Sequence, residues 1–394
     1  MNLLVVCQYY YPEPFRITDI CEALAAAGHR VTVVTGTPNY PEGEIYPGYE
    51  GGAHRDEVRN GVTIHRCPIH PRKTGSVNRF WNYYSFVFQA EHYLRRCGDA
   101  FDVVFVNQLS PVMMAGPALS WARRHGKKSV VYCLDLWPES LVVGGVKRDS
   151  LIYRVFWHIS RNLYKKMDTL LVSSQGFVPY FAENLKLDIV PKWLPQYAED
   201  LFEIPERETE KDTVDFLFAG NIGTLQSVET IVRAARLLRE EPGIHIHIVG
   251  GGVSLEHCRE EAQGLTNITF HGRKPLEQMP PYYAMADAFL ISLVDDPGMS
   301  MNFPGKVQSY MAAGKPVVGS INGETARIIR EADCGICAKA EDAEGLAQAI
   351  RRVASDPQLR KTQGENALGY YRDHFTKEHF LSELTDILEQ NCCR

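Results

Sequence analysis

The stretch Met301-Asn-Phe-Pro-Gly-Lys-Val-Gln-Ser-Tyr-Met-Ala-Ala-Gly-Lys-Pro-Val-Val-Gly-Ser320 carries the clearest structural signals in the chain. Pro304-Gly305-Lys306 is typical of a turn that opens a helix, and Gly314 is typical of the residue just past a helix C-terminus. Lys315-Pro316 leads into the apolar pair Val317-Val318, which indicates a buried strand. We therefore predict a helix followed by a strand, the repeating unit of a parallel α/β sheet.

The predicted helix begins at a positively charged residue, Lys306. A helix N-terminus presents unpaired N–H groups and the positive end of the helix dipole. Lys306 adds a full charge at that end. The sequence therefore predicts a phosphate or diphosphate site at the start of this helix.

Two consecutive segments carry a family resemblance. Ser309-Tyr-Met-Ala-Ala-Gly-Lys-Pro-Val317, followed by Gly323-Glu-Thr-Ala-Arg-Ile-Ile329, resembles the nucleotide-site helix of family 4 glycosyltransferases. The resemblance implies the α/β GT-B fold, in which two Rossmann-like doubly wound domains face each other across a cleft. It also implies sugar transfer from a nucleotide-sugar with retention of configuration. The chain most resembles the branch that transfers amino sugars of the L-fucosamine type in O-antigen and capsule synthesis.

The chain departs from the family pattern at two positions. The family usually carries two glutamates eight positions apart, and here Met301 and Ser309 occupy those places. Ser309 keeps a hydroxyl that can hydrogen-bond a ribose. Met301 cannot replace a carboxylate that contacts the sugar. This loss keeps two alternatives open: a catalytically degenerate sugar-binding or scaffold subunit, and a UDP-sugar 2-epimerase of the same fold.

The composition is that of a globular protein. With 394 residues, 45% of them hydrophobic and 23% charged, the chain is long enough for two domains with full cores. We interpret Leu3–Val6 as a first strand and not a signal peptide, and we find no apolar run of membrane-span length, so we expect a cytoplasmic protein. Among ten scattered cysteines, Cys334-Gly-Ile-Cys337 lacks the second ligand pair that zinc needs, so we predict two core cysteines.

Charge is unevenly distributed along the chain. Residues 1–195 hold 22 Lys and Arg against 17 Asp and Glu, a net charge of +5, and the remainder has a net charge of −11. This argues against nucleic acid as a partner. It fits a first domain that faces anionic lipid or a diphosphate-linked acceptor, peripheral to the inner membrane.

The first domain is predicted to span residues 1–195. A strand at 2–7, a helix at 16–27 and a strand at 31–35 form a βαβ opening. Strands at 61–66, 102–107, 129–134 and 169–173 complete the sheet. The first loop has no G-x-G-x-x-G pattern, so a hydride-transfer cofactor is not expected.

The second domain is predicted to span residues 196–376, after a hinge at 189–196 and with a charged linker at 203–212. Strands at 214–219, 244–249, 267–271 and 288–292 alternate with helices. The resemblance implies that the last helix, within 377–394, returns to the first domain.

Two segments combine basic and aromatic residues, at 79–96 and 146–166. Leu151, Ile152 and Val155 belong to an apolar stripe at helical spacing in the second segment. One interpretation is attachment to a membrane surface. The other is that each helix packs on the sheet through its apolar stripe and leaves its charges in solvent.

The resemblance places acceptor-side residues in the first domain. Arg16 is expected to reach a phosphate, and Asn39 and Tyr40 lie in a long loop rich in aromatic residues and proline. Asp135 is the candidate for taking the acceptor proton, with Glu139 as second choice. Either carboxylate is also suited to capping the following helix.

The donor-side residues lie in the second domain. The family commonly has Arg where Asn221 stands, so Lys306, backbone amides and a further arginine, Arg16 or Arg273, are expected to hold the diphosphate. Lys306 is also the candidate for stabilising charge on the leaving phosphate. No H-x-x-H, paired-Cys or D-x-D pattern predicts a metal, and the UDP-sugar is expected as a co-substrate. The predicted donor-binding residues are Gly220, Asn221, Gly250, Gly251, Arg273, Asn302, Phe303, Pro304, Gly305, Lys306, Ser309 and Glu324.

Together these observations predict a retaining glycosyltransferase. It would move an N-acetylated amino sugar from a UDP-sugar donor to a polyprenyl-diphosphate-linked, that is lipid-linked, saccharide acceptor at the inner membrane surface.

Overall fold

The computed structural model describes residues 1–73, 75–98, 100–198 and 212–392. The chain divides into two compact units. The first unit comprises Met1–Ser173, Phe177–Leu194 and Leu381–Arg394, and the second comprises Ser174–Gly176 and Pro195–Phe380. The main division falls one residue before the predicted one, and the C-terminal segment joins the first unit from Leu381. Most of the predicted charged linker, residues 203–211, lies outside the described residues.

The first unit is an eight-stranded sheet with helices between the strands. Its order is β3-β4-β2-β1-β5-β6-β7-β8, and all neighbours are parallel except the pair β3 and β4. The strands are β1 (Asn2–Val6), β2 (Arg30–Gly36), β3 (Asp56–Arg59), β4 (Val62–Cys67), β5 (Val103–Gln108), β6 (Lys128–Cys133), β7 (Thr169–Val172) and β8 (Lys192–Trp193). The helices are α1 (Ile17–Ala26), α2 (Ser76–Leu94), α3 (Gly116–His125), α4 (Glu139–Val143), α5 (Leu151–Tyr164) and α6 (Val178–Glu183).

Continuous apolar runs explain the centre of this sheet. Leu3–Val6 and Val103–Val106 are completely buried, as expected for parallel strands covered on both faces. Two short strands were not predicted. The segment 56–59 pairs antiparallel at the edge as β3, and residues 192–193, assigned to a hinge from sequence, pair with β7 as β8.

The second unit is a six-stranded parallel sheet in the order β11-β10-β9-β12-β13-β14. Its strands are β9 (Val214–Ala219), β10 (Ile244–Val249), β11 (Ile268–Gly272), β12 (Ala288–Ser292), β13 (Val317–Ser320) and β14 (Gly335–Ala338). Its helices are α7 (Val228–Leu237), α8 (Leu255–Glu261), α9 (Pro280–Met285), α10 (Pro297–Ser300), α11 (Gly305–Ala312), α12 (Gly323–Glu331), α13 (Ala343–Ser355) and α14 (Pro357–His374); α15 (Lys377–Cys392) follows.

This strand order is that of a doubly wound sheet, with the direction of winding reversing between β9 and β12. Ligands of such sheets bind outside the carboxyl ends of the strands at this reversal. The loop after β9 begins at Gly220, and the loop after β12 leads to α10 and α11. The topology therefore places residues 220–222 and the start of α11 where a ligand is expected.

Helix α11 agrees closely with the sequence prediction. It ends at Ala312, and Gly314 adopts a left-handed conformation with φ of 66°. Val307, Tyr310 and Met311 are fully buried. The Tyr310 hydroxyl accepts from the Ala219 backbone N–H at 3.0 Å and donates to the Ala219 carbonyl at 3.1 Å, so it fixes the helix to the end of β9.

Helices α2 and α5 bury faces that the sequence did not identify. The apolar stripe of α5 was a candidate for packing on the sheet, but Leu151, Ile152 and Val155 are exposed by 76%, 57% and 47%. Its buried residues are instead Ser160 and Tyr164. In α2, Phe80, Trp81 and Phe88 are exposed, while Asn82, Phe86 and Ala90 are buried. The interpretation that the apolar residues of these helices pack on the sheet is therefore wrong for the exposed ones, whereas Phe86 of α2 is buried. The exposed ones are Leu151, Ile152, Val155, Phe80, Trp81 and Phe88.

The cysteines of the described residues form no disulfide bonds. Cys334 and Cys337 flank the start of β14 and are free, as are the other cysteines of the described residues. No helix among the described residues is both long enough and apolar enough to cross a bilayer.

Replacing Tyr310 with phenylalanine is expected to lower the free energy of unfolding by about 1–3 kcal/mol, because both backbone groups of Ala219 lose a buried partner. Urea unfolding followed by circular dichroism measures this. The matched control is Tyr84→Phe, since the Tyr84 hydroxyl makes no hydrogen bond to any described residue. Equal effects of the two substitutions would contradict the assigned role of Tyr310.

Candidate functional site

The loops after β9 and β10 are joined by backbone hydrogen bonds. Gly220 donates to the Val249 carbonyl at 2.9 Å, and Ile222 donates to the Gly251 carbonyl at 2.9 Å. Ile222 is fully buried, whereas Gly220 and Asn221 are exposed. The two loops therefore form one rigid surface, and its exposed part is at Gly220 and Asn221.

Close backbone packing explains the glycines of the second loop. A Cβ atom at Gly250 would lie 1.8 Å from the Gly220 carbonyl oxygen, and one at Gly252 would lie 2.4 Å from the Ile222 carbonyl oxygen. Neither position tolerates a side chain, with or without a ligand. Gly250 and Gly251 are predicted donor-binding residues, and the close packing on the β9 loop is sufficient to account for the glycine at 250.

Lys306 lies beside the first of these loops. Its ammonium is 4.1 Å from the centroid of the Phe218 ring, and a Cβ atom at Gly220 would lie 2.5 Å from the Lys306 nitrogen. Within the described residues, the ammonium has no carboxylate within ion-pair distance and makes no hydrogen bond. Burial lowers the pKa of Lys306 from its ordinary value to about 7. The site therefore holds a cationic group that lacks a counter-charge.

The predicted residues around the start of α11 are brought together with Lys306. Pro304 is the N-cap residue and supplies no side-chain cap to the helix. Ser309 is buried, and its hydroxyl lies 3.5 Å from the Gly305 carbonyl oxygen, at the limit of a hydrogen bond. Asn302 donates to the Gly298 carbonyl, and the Phe303 ring packs against Phe375. Asn302 and Phe303 therefore support the turn through internal contacts.

The remaining donor-side predictions differ in their surroundings. Asn221 donates to the Gln226 side chain at 3.1 Å, and Arg273 is exposed in the loop after β11. The Glu324 carboxylate is buried and accepts two hydrogen bonds from Arg327 at 2.8 and 2.9 Å. Its side chain is therefore occupied by an ion pair in this structure.

Asp135 lies at the carboxyl end of β6 in the first unit. Its Oδ2 accepts hydrogen bonds from the Ser110 backbone N–H and the Ser110 hydroxyl, both at 3.0 Å. Trp137 donates its indole N–H to the same hydroxyl at 2.9 Å. Burial raises the pKa of Asp135, and the hydrogen bonds from Ser110 oppose that shift. A carboxylate with a raised pKa is suited to accepting a proton.

Glu139 has a different environment from Asp135. It is 5% exposed, and its carboxylate accepts hydrogen bonds from Arg148 at 2.8 Å, Tyr153 at 2.6 Å and Tyr180 at 3.2 Å. These contacts tie α4 to α5 and α6. The carboxylate is fully engaged in structural bonds, which leaves Asp135 as the better-placed candidate base.

The loop residues Asn39 and Tyr40 are organised by a glutamate that sequence reasoning missed. The buried Glu13 carboxylate accepts backbone N–H bonds from Tyr10, Asn39 and Tyr40 at 3.2, 2.9 and 2.7 Å. Burial raises the pKa of Glu13 to about 7. The signal in the sequence was Pro12-Glu-Pro14, a charged residue between prolines in a loop that follows a buried strand.

Of the three predicted substrate-binding residues, Asn39 is completely buried. Its side-chain oxygen accepts from the Arg72 backbone N–H and from Asn82, so in this structure it supports the loop. Tyr40 is partly exposed, and its ring lies 5.1 Å from Phe15 and 5.5 Å from Tyr9. Arg16 is the N-cap residue of α1, and its charge opposes the rise that burial causes in the pKa of Tyr132.

Two family models match this chain, one mainly in the first compact unit and the other in the second. Residues 15–191 match the model of the glycosyl transferase 4-like domain, and residues 213–356 match the model of the glycosyl transferases group 1. The chain belongs to the glycosyltransferases of the GT-B fold. The amino-acid resemblance at 309–329 is therefore confirmed at the level of the fold and the enzyme class, and the amino-sugar branch stays a prediction.

The sequence of this glycosyltransferase aligns with part of one curated relative and with nearly all of another. It is 28% identical to the probable glycosyltransferase WbjE of Pseudomonas aeruginosa, over 61% of this chain and 63% of WbjE. It is 24% identical to the putative colanic acid biosynthesis glycosyl transferase WcaI of Escherichia coli K12, over 93% of this chain and 95% of WcaI.

Solved structures share the fold at low sequence identity. Sucrose-phosphate synthase from Thermosynechococcus elongatus superposes with a TM-score of 0.77 at 17% identity, covering 99% of both chains. HepE from Anabaena, solved in complex with UDP, superposes with a TM-score of 0.72 at 13% identity, covering 99% of this chain and 100% of HepE. At these identities the structures establish the fold of the glycosyltransferase alone.

The described part of the glycosyltransferase contains no cluster of three or more His, Cys, Asp or Glu side chains arranged to hold a metal ion. Asp295 and Asp296 lie in the loop before α10, and the Asp296 carboxylate caps α10 by accepting bonds from the backbone N–H groups of Gly298 and Met299.

Lys306 is expected to destabilise the ligand-free glycosyltransferase, so Lys306→Met should raise the free energy of unfolding at pH 7 by about 1 kcal/mol or more. Between pH 7 and pH 10.5 the unfolded chain holds a proton on Lys306 that the folded chain does not. The free energy of unfolding of the wild type should therefore rise with pH relative to that of Lys306→Met. The difference between the two proteins should be smaller at pH 9.5 than at pH 7. Urea unfolding at both pH values measures it.

The control for this prediction is Lys361→Met, which removes a lysine that is 70% exposed in the same unit. Its effect on stability should be small and equal at the two pH values. A gap between wild type and Lys306→Met that does not change with pH would contradict the burial assigned to the Lys306 ammonium.

Proposed function

We propose that this glycosyltransferase transfers a sugar from a UDP-sugar to a lipid-linked saccharide during synthesis of a bacterial surface polysaccharide. The observation that carries the proposal is the Lys306 ammonium beside Gly220, with no carboxylate partner among the described residues, at the topological reversal of the second sheet. A partly buried cation without a counter-charge is unfavourable unless an anion binds to it. A diphosphate supplies that anion.

The geometry favours a diphosphate over a single carboxylate. The uncapped start of α11 lies at Lys306, which is itself beside Gly220, so the N–H donors of the helix start and one ammonium serve the same volume. HepE of the same fold was solved with UDP, which supports UDP as the carrier here. The name of WcaI, a putative colanic acid biosynthesis glycosyl transferase, supports a role in polysaccharide synthesis.

The donor sugar is proposed to be an N-acetylated amino sugar, such as N-acetyl-L-fucosamine, transferred with retention. Support comes from the resemblance of residues 302–329 to that branch, together with Met301 and Ser309 where the wider family has glutamates. An apolar residue at 301 suits a donor with less need for a carboxylate partner.

In the proposed reaction the bond between the sugar C1 atom and the diphosphate oxygen breaks, and the acceptor hydroxyl oxygen bonds to C1. Lys306 stabilises the negative charge that develops on the leaving diphosphate. The acceptor proton passes to Asp135 or to an oxygen of the leaving diphosphate. The raised pKa of Asp135 favours its part in this step.

The acceptor is proposed to be held at the inner membrane surface by the first unit. Leu151, Ile152 and Val155 of α5 are exposed apolar residues. Exposed basic residues accompany them at Lys147, Arg154, Lys165 and Lys166. An exposed apolar stripe with adjacent basic residues is typical of helices that lie in the interface of an anionic membrane.

Lys306→Met is expected to weaken UDP binding by about 10- to 100-fold, because a charge-assisted contact to the diphosphate is lost, and to remove most turnover. Isothermal titration with UDP measures the first effect. Product formation from a panel of UDP-sugars with a polyprenyl-diphosphate-linked acceptor measures the second. Above pH 7 the wild type should take up a proton on binding UDP, and Lys306→Met should not.

The control for UDP binding is again Lys361→Met, which should bind and turn over as the wild type does. Unchanged UDP affinity in Lys306→Met would overturn the proposed site. UDP binding by the wild type without turnover across the whole panel would favour the non-catalytic scaffold, while interconversion of free UDP-sugars without an acceptor would favour the 2-epimerase.

The double substitution Leu151→Glu/Ile152→Glu is expected to weaken binding to vesicles containing phosphatidylglycerol by about tenfold or more, because two apolar insertions are lost. Vesicle co-sedimentation at low and moderate salt measures this. The control is Val253→Glu, at a residue that is 85% exposed in the second unit. Equal binding by both variants would contradict membrane attachment through α5.

A further inference from the structure

The Lys306 ammonium lies over the face of an aromatic ring, that of Phe218. Phe218 is the penultimate residue of β9 and is completely buried. The Lys306 nitrogen lies 4.1 Å from the centroid of its ring. This distance is well within the range of about 6 Å over which a cation is attracted to an aromatic face.

Gly220 leaves the space that this arrangement requires. A Cβ atom at Gly220 would lie 2.5 Å from the Lys306 nitrogen and 3.0 Å from its Cε atom. Any side chain at position 220 would therefore displace the ammonium from the ring. The hydrogen of Gly220 and the ring of Phe218 together define where the ammonium lies.

The position of the ring relative to α11 is fixed by a second contact. Tyr310 follows Lys306 by one helical turn, and its hydroxyl bonds to both backbone groups of Ala219, the residue between Phe218 and Gly220. The Tyr310 ring stacks on Phe289 of β12 with centroids 4.2 Å apart and planes at 5°. The end of β9 and the first turn of α11 are therefore held in register.

We propose that Phe218 is a positioning residue for nucleotide binding: its aromatic face holds the Lys306 ammonium beside Gly220, ready for the diphosphate. The inference rests on the proposed function of Lys306 as the diphosphate-binding cation. Phe218 acts through Lys306 and does not itself contact the nucleotide.

An aromatic partner has an advantage over a carboxylate in this role. A carboxylate would neutralise the ammonium and compete with the incoming diphosphate for it. The ring attracts the ammonium without adding a negative charge that would compete with the ligand. The ring also restricts the flexible lysine side chain before binding, which reduces the conformational entropy lost when the diphosphate arrives.

One substitution at Phe218 and a matched one at Phe216 separate this role from packing. Phe218→Leu removes the aromatic face and is expected to weaken UDP binding about 3- to 10-fold in isothermal titration. The matched control is Phe216→Leu, which removes an equally buried ring from the same strand and the same core. Phe216→Leu should lower stability to a similar extent and leave UDP affinity within about twofold of the wild type.

Fluorination of the ring tests the electrostatic part and preserves the core. Incorporation of 3,4,5-trifluorophenylalanine at position 218 withdraws electron density from the face at almost constant volume. UDP affinity should fall, while the same amino acid at position 216 should leave it unchanged. Unchanged affinity with the fluorinated ring at 218 would overturn the proposal.

A double-mutant cycle decides whether the effect acts through the ammonium. In the Lys306→Met background, Phe218→Leu should cause no further loss of UDP affinity. A loss that persists in that background would overturn the positioning role. If Lys306→Met alone leaves UDP affinity unchanged, the proposed function and this inference both fail; if it weakens binding and the Phe218 variants do not, only this inference fails.

Discussion

The proposed diphosphate site of the second unit depends on one unfavourable charge being held in one place. Lys306 brings an ammonium to the carboxyl end of β9, where burial lowers its pKa and the described residues supply no carboxylate. Three features make this possible: the ring of Phe218, the absence of a side chain at Gly220, and the Tyr310 hydroxyl that fixes α11 to the strand. Each contributes through close contact, and a phosphate-bearing ligand would relieve the imbalance they maintain.

Local signals in the sequence were sufficient for the elements that carry this site. Pro304 and Gly314 bracket α11 because a fixed φ and a left-handed residue are backbone requirements that few residues satisfy. The alternation of strands and helices was likewise sufficient for two parallel sheets. The edge strand β3 and the two-residue strand β8 escaped prediction because such short segments carry too little periodicity.

Contacts between distant segments could not be read from the sequence. Nothing near Phe218 indicates that its ring lies under Lys306, and nothing near Glu13 indicates that it accepts bonds from residues 39 and 40. The apolar stripe on α5 shows a second limit of prediction from sequence. Its spacing identified an apolar face correctly, but whether that face meets protein or solvent depends on what the rest of the fold places against it.

The lack of room for a Cβ atom at Gly250, next to the Gly220 carbonyl, has a consequence for redesign of the glycosyltransferase. Because the two loops exclude side chains from each other's space, neither is free to drift independently, and libraries that randomise them would mostly yield misfolded chains. Substitutions intended to change donor preference are better placed at exposed positions near these loops. Asn221 and Arg273 are exposed there, and the hydrogen bond of the Asn221 side chain is to the side chain of Gln226 and not to the backbone.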